Sequence, residues 1–227
     1  MNATDFCPII IGCRTLEQEL TAAMEQTGCR YPVLWIESGL HNVPQRLCAA
    51  VQEAVDRCGG HTHVLMAMGF CGNSIAGVTT GAAPLILPRV DDCISLLLGS
   101  VQRRTALNKT GGTYFFTEGW LRGERTILAE YRHAVDEYGE ELADEIFRDM
   151  LRNYEKAALI DTGCFDRSAA AEEKKKIART FSLQYCEVPG TLTYIKELLS
   201  GPWPEERFVR IPAHTQISGG DLRLPAG

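Results

Sequence analysis

Several features are missing from this 227-residue sequence, and each absence excludes a class of protein. No stretch approaches the ~20 consecutive apolar residues of a membrane span. No basic region followed by an apolar core opens the chain, so export is not expected. Positive charge is not in surplus: 23 Lys and Arg stand against 29 Asp and Glu, a formal net charge of -6. Non-specific binding to nucleic acid or anionic membranes is therefore not favoured. There is no Gly-x-Gly-x-x-Gly after a strand and no Walker loop, so no nucleotide is expected. Internal repeats are also lacking.

What is plentiful is cysteine. There are nine, an odd number, scattered rather than framed as in a small secreted scaffold, and none forms a Cys-x-x-Cys pair. In a reduced cytoplasm, the expected location, most would be free thiols or metal ligands. Cys7, Cys29, Cys48, Cys58 and Cys186 fall near element ends or on helix faces and read as small packing residues.

Hydrophobic residues make up 45% of the chain and charged residues 23%, enough for a sizeable core. Apolar runs of strand length alternate with helical patterns. Strands are expected at Pro8 to Cys13, Pro32 to Leu40, His63 to Phe70, Ala83 to Val90, Lys156 to Thr162 and Arg207 to Pro212, with a short extended piece at Gly112 to Thr117. Helices are expected from the capping-box-like Thr15-Leu16-Glu17-Gln18 to Thr27, then over Pro44 to Cys58, Cys93 to Asn108, Ala169 to Tyr185 and Thr191 to Leu199. The charged run Glu172 to Lys176 reads as a solvated face. Thr126 to Tyr154 reads as a long amphipathic region, broken near Gly139. Nearly all-apolar strands alternating with helices predict an α/β fold, a mostly parallel sheet covered on both faces in a Rossmann-like three-layer arrangement. The expected organisation is one domain over 7–212, or two lobes, with a helical subregion at 122–154 and a tail at 213–227, loose from Gly219 on.

Open parallel sheets bind ligands outside the carboxyl ends of their strands. Cys13, Glu37 to His41, Cys71, Arg89 to Cys93, and Asp161 to Cys164 stand at those ends. Thiolate and imidazole suit zinc, iron and iron–sulfur clusters. Cys13, His41, Cys71 and Cys93 therefore form a candidate Cys₃His metal site, or three thiolates for a [4Fe–4S] cluster with one open iron. Whether Cys164 joins them is open. The alternative for each cysteine is packing beside a turn, and for His41 a surface or capping role. Cys71, in Met68-Gly69-Phe70-Cys71-Gly72-Asn73-Ser74, and Cys93 each stand where a following helix would stabilise a thiolate.

Asn73 and Ser74 are candidate substrate donors there, and Glu37 and Tyr114 candidate pocket residues. Tyr114, Glu118 and Trp120 are expected to wall a pocket or to be core aromatic packing under a turn. Arg89 is a candidate clamp for a carboxylate or phosphate; its alternative is an ion pair with Asp91 or Asp92. Asp92 is a candidate general base or orienter of a ligand histidine; its alternative is the N-cap of the Cys93 helix.

Taken in order, Gly12-Cys13, Leu40-His41-x-x-Pro44-x-x-Leu47, Gly69-Phe70-Cys71-Gly72, Pro88-Arg89-x-x-Asp92-Cys93-Ile94, Leu97-Leu98-Gly99-Ser100, Gly112-Thr113-Tyr114 and Gly119-Trp120 carry a resemblance. Over roughly residues 7 to 212 the chain resembles a family of uncharacterised prokaryotic proteins known as a domain of unknown function. The family is common in anaerobes and methanogens and often encoded near corrinoid-dependent methyltransferases. Members tend to have histidine where this chain has Asp91, and leucine where it has Phe70. The resemblance implies a setting in methyl-group or one-carbon metabolism and a corrinoid protein or methyltransferase as partner.

Three functions compete. The first is a zinc- or iron-dependent enzyme acting on a small molecule. The second is a non-catalytic metal-binding accessory protein of a corrinoid methyltransferase system. The third is a metal-free thiol enzyme with Cys71 as nucleophile and His41 as base. Homo-oligomerisation through the long helical region is a further expectation.

Overall fold

The computed structural model describes residues 6–109, 111–123, 126–165 and 171–224. Its elements, in chain order, begin with β1 (Ile9–Cys13), a 3₁₀ turn (Arg14–Leu16), α1 (Glu17–Thr27), β2 (Val33–Ile36), a second 3₁₀ turn (Ser38–Asn42), α2 (Pro44–Asp56), β3 (Val64–Ala67) and β4 (Leu85–Pro88). There follow α3 (Cys93–Leu98), α4 (Val101–Asn108), β5 (Thr113–Phe116), α5 (Glu118–Leu121), α6 (Ile127–Tyr138) and α7 (Glu140–Met150). The last are β6 (Lys156–Asp161), α8 (Ala171–Thr180), β7 (Gln184–Pro189), α9 (Thr193–Ser200) and β8 (Phe208–Ile211).

The strands form two sheets rather than one. The larger has the order β2-β1-β3-β4-β8, parallel except for β8, which runs antiparallel along β4 at the edge. The smaller, β5-β6-β7, is parallel throughout. Alternate residues of β1 explain how the larger sheet is covered twice. Ile9, Ile11 and Cys13 face a core with Leu47, Val51 and Val55 of α2, while Ile10 faces a second core with α1, α3 and α9. That second core also contains Phe115, Ala158 and Ile160 of the small sheet, so these helices lie between the two sheets. The far face of the small sheet packs Phe116, Ala157 and Leu159 against Leu128 of α6 and Ile177 of α8.

The mostly parallel α/β architecture is as the apolar runs predict. The differences are local and have physical causes. The helix expected over Cys93 to Asn108 is two, because Gly99 takes a left-handed turn and the Ser100 hydroxyl accepts from Arg103 N–H to start a new helix. The helix expected from Ala169 to Tyr185 ends at Thr180, and β7 follows; positions 169 and 170 lie outside the described residues. β7 reads Gln-Tyr-Cys-Glu-Val-Pro, half-exposed at a sheet edge, so it lacks an apolar run. Of the expected solvated face at Glu172 to Lys176, Lys175 and Lys176 are exposed, and the side chains of 172–174 lie outside the described residues. The long middle region does break at Gly139, into α6 and α7. The tail is not loose throughout: Leu222 is buried in the α2-side core, and Asp221 accepts from Ser218; 225–227 lie outside the described residues.

Candidate functional site

The carboxyl ends of β1, β2 and β3 bring Cys13 and His41 into contact and Cys71 close to them. Cys13 closes β1 and is 1% exposed. His41 lies on the 3₁₀ turn after β2, and Cys71 lies just beyond β3. Cys13 Sγ is 3.8 Å from His41 Nε2. His41 Nδ1–H donates to the Ser38 carbonyl at 2.8 Å, which fixes the ring and turns Nε2 toward the thiols. Cys71 lies near enough to the imidazole to raise its pKa. Cys93, the first residue of α3, is fully buried in the layer between the sheets, and its thiol feels the charges of Cys71 and Cys13.

Each group's protonation follows from its surroundings. Burial pushes the Cys13 thiol up, but the hydrogen bond and charge of His41 and the hydrogen bonds of Thr15 outweigh it, leaving Cys13 below its ordinary value. Burial pushes His41 down, yet bonds and charges from Cys13 and Cys71 hold it at about 11. Burial raises Cys71, only partly offset by His41. Cys93 is raised well above its ordinary value by burial, then by Asp92 and the neighbouring thiols. Of these three thiols Cys13 is the one lowered, and it faces the raised His41, whereas Cys71 and Cys93 are raised. The sequence pairs His41 with Cys71 as nucleophile, whereas the thiol lowered beside His41 is Cys13.

Local backbone explains how Cys71 is aimed. No α-helix follows it, contrary to expectation: residues 71–77 form turns. Cys71, Gly72 and Asn73 all take left-handed φ values of 48°, 66° and 63°. Left-handed non-glycine residues cost energy and are held only where surrounding structure compels them. Here Cys71 N–H donates to the Asp91 carbonyl at 2.7 Å, and Phe70 N–H to that of Val90 at 2.9 Å. The Ser74 hydroxyl donates to the Cys71 carbonyl at 2.5 Å. These bonds tie the Cys71 turn to the segment that carries Cys93. Gly69 makes the approach possible, since a β-carbon there would meet the Asp92 backbone at 2.6–2.8 Å.

The remaining candidates sort by their contacts. Asp92 caps α3 through a bond from Ser95 N–H at 3.1 Å, and its other oxygen pairs with Arg104 at 2.7 Å. The capping role is thus the one its contacts support. Arg89 does not pair with Asp91 or Asp92. Its guanidinium donates to the carbonyls of Glu205, Arg223 and Phe208, which ties the end of β4 to the C-terminal segment. Arg104, not singled out from sequence, takes the ion pairs with both aspartates. Ser74 is buried and spent on its turn, while Asn73 is exposed. Tyr114 is not brought to the thiols: it packs on the small sheet, 5.9 Å from the Tyr154 ring, and burial lifts its hydroxyl to about 12. Cys164 follows β6 of the other sheet and donates to the Thr162 carbonyl.

Thr15 was legible only as a helix cap. Instead α1 starts at Glu17 without a side-chain cap, and the Thr15 hydroxyl lies 2.9 Å from Cys13 Sγ. Beside the His41 turn is a cleft of about 410 Å³, lined by Arg14, Glu17, Glu37, Ser38, Gly119 and Arg122 among others. Glu37 is thus on the wall of this cleft. Glu118 is buried and Trp120 packs in the core between the sheets, so the aromatic segment contributes its backbone and Arg122, rather than its rings, to this cleft. Gly119 closes the floor against the Thr15 carbonyl, where a β-carbon would collide.

Among the described residues, no group of three or more His, Cys, Asp or Glu side chains is arranged so that it could hold a metal ion as it stands. Nor, among them, is any helix long and apolar enough to cross a membrane. No curated protein and no solved structure matches the chain. A family model does match, over residues 35–199, a span that includes His41, Cys71 and Cys93 but begins after Cys13. The chain belongs to that family, described as protein of unknown function (DUF1638).

Proposed function

We propose that the chain is a metal-dependent enzyme in which Cys13, His41 and Cys71, backed by Cys93, hold a zinc or iron ion next to a small-molecule cleft. The observation that carries this reading is the orientation of His41. Its Nδ1–H is committed to a backbone carbonyl, its Nε2 faces Cys13 Sγ at 3.8 Å, and Cys71 lies near enough to act on the charge of the ring. Metal-bound histidines are commonly oriented in this way. A tetrahedral ion with sulfur at about 2.3 Å and nitrogen at about 2.0–2.1 Å would separate those donors by about 3.6 Å. The Cys13–His41 separation of 3.8 Å is close to that edge. When bound, the ion would act as a Lewis acid on a substrate or generate a nucleophile from a thiol or water.

The protein's own residues supply the rest. Thr15 holds the Cys13 sulfur, the Cys71 turn presents a half-buried cysteine, and the cleft lined by Glu37 and Ser38 admits a small molecule. A role in methyl-group or one-carbon metabolism, with a corrinoid protein or methyltransferase as partner, rests on the family resemblance alone. A second reading has its own support. The lowered Cys13 and raised His41 also suit a metal-free thiol enzyme, and among the described residues no three-ligand group stands preformed.

Elemental analysis and a visible spectrum of anaerobically purified protein distinguish these readings. About one metal ion per chain, lost in Cys71→Ser and His41→Ala, is expected. Less than about half an equivalent in the parent protein overturns the metal reading and leaves the thiol enzyme. Metal without turnover on any small methylated compound points to the accessory role.

A further inference from the structure

The α6–α7 hairpin carries a surface that the site does not use. Among the described residues, five of the seven exposed large hydrophobic ones lie on it or just beyond it: Tyr138, Leu142, Ile146, Met150 and Tyr154. Leu142, Ile146 and Met150 are 45%, 42% and 52% exposed and stand four residues apart, so they form one row along α7. Ala143 and Phe147 form the adjacent row, which is buried against α6. The apolar face of α7 is therefore about twice as wide as the part that α6 covers.

Charge decides what would cover the rest. Glu141, Glu145 and Asp149 make a parallel exposed row beside the apolar one. From Asp136 to Asp149 there are seven carboxylates (136, 137, 140, 141, 144, 145, 149) and one guanidinium, Arg148, a sum of -6. The whole chain is also -6, so its net charge resides in this hairpin. Two copies meeting here would bring -6 against -6. An anionic membrane is disfavoured for the same reason.

We propose that the outer face of α7 docks a partner protein through a basic amphipathic helix, whose apolar row packs on Leu142, Ile146 and Met150 while its Lys and Arg face Glu141 and Glu145. This is the helix-on-helix mode of recognition, with charge choosing the partner.

The test uses a synthetic Lys/Leu peptide of about 18 residues with helical apolar spacing, long enough to fold on a surface. A scrambled peptide of equal composition and charge is the control. Binding is read by fluorescence anisotropy at two salt concentrations. The patterned peptide is expected to bind and to weaken with salt. Leu142→Gln/Ile146→Gln/Met150→Gln should weaken it by at least about tenfold, and Glu141→Gln/Glu145→Gln by several-fold. Both sets of side chains are exposed, and circular dichroism checks that each variant is folded. The inference is overturned if the scrambled peptide binds equally well, or if the folded triple variant binds like the parent. It is also overturned if sedimentation shows a parent dimer that the triple variant makes monomeric, for then a second copy is the occupant.

Discussion

Gly69→Ala gives the sharpest test of how the site is assembled. An added β-carbon would lie 2.6 Å from Cα, 2.7 Å from C and 2.8 Å from N of Asp92. Carbon contacts settle near 3.5–4.0 Å, so the two segments must part by about 1 Å. These are backbone atoms, which cannot rotate away as a side chain can. Overpacking of this kind costs about 1–3 kcal/mol. The parting also strains the Phe70–Val90 and Cys71–Asp91 hydrogen bonds, and loss of one adds about 1 kcal/mol.

The expected destabilisation is therefore about 3 kcal/mol, which lowers Tm by about 6–12 °C in a chain of this size. Gly72→Ala is the comparison. Gly72 has a left-handed φ of 66° but nothing within 4 Å of an added β-carbon, so it should cost only about 1–2 kcal/mol. Urea unfolding followed by circular dichroism measures both. A Gly69→Ala protein within about 0.5 kcal/mol of the parent, or more stable than Gly72→Ala, would refute the argument that close approach, rather than backbone conformation, requires this glycine.

Further outcomes follow from the same contacts. Glu19 is buried between α1 and β6, where it accepts from the Thr162 hydroxyl; burial raises its carboxyl above 4.5, and Glu118 adds to the rise. The folded state then holds a proton that the unfolded chain releases, so this contribution is full in acid and lost as pH rises through the raised value. Glu19→Gln should thus gain stability over the parent at about pH 8 and little at about pH 4 in urea unfolding; an equal change at both would count against it. Arg89→Ala removes three bonds to carbonyls and should cost about 1.5–3 kcal/mol in urea unfolding, with metal content unchanged in elemental analysis, since Arg89 joins segments and does not face the thiols. Arg104→Gln should cost only about 0.5–1 kcal/mol, because its pairs with Asp91 and Asp92 are about one-third exposed; a loss above about 3 kcal/mol would show a deeper role. Thr15→Val should raise the Cys13 pKa, read as a shift in the ultraviolet thiolate titration, because the hydroxyl at 2.9 Å helps to hold the charged sulfur.

The sequence by itself determined the parallel α/β class, because β1, β3 and β4 are buried at nearly every residue and so read as unbroken apolar runs. It also put Cys13 and His41 on one sheet edge, where they lie 3.8 Å apart, because the carboxyl ends of parallel strands share that edge. It gave the break at Gly139 and offered the cap as one of two roles for Asp92, since both depend on a few neighbouring residues. Only tertiary structure decided the rest. The division into two sheets depends on which strands pair, and β7 at an exposed edge has no apolar signature. Whether Arg89 or Arg104 pairs with Asp91 and Asp92 depends on where α4 folds back. Which thiol is lowered depends on burial and on the side that His41 Nε2 faces, set by one carbonyl at Ser38. Sequence proximity fixes local conformation, whereas pairing and protonation are settled by groups that meet only once the chain has folded.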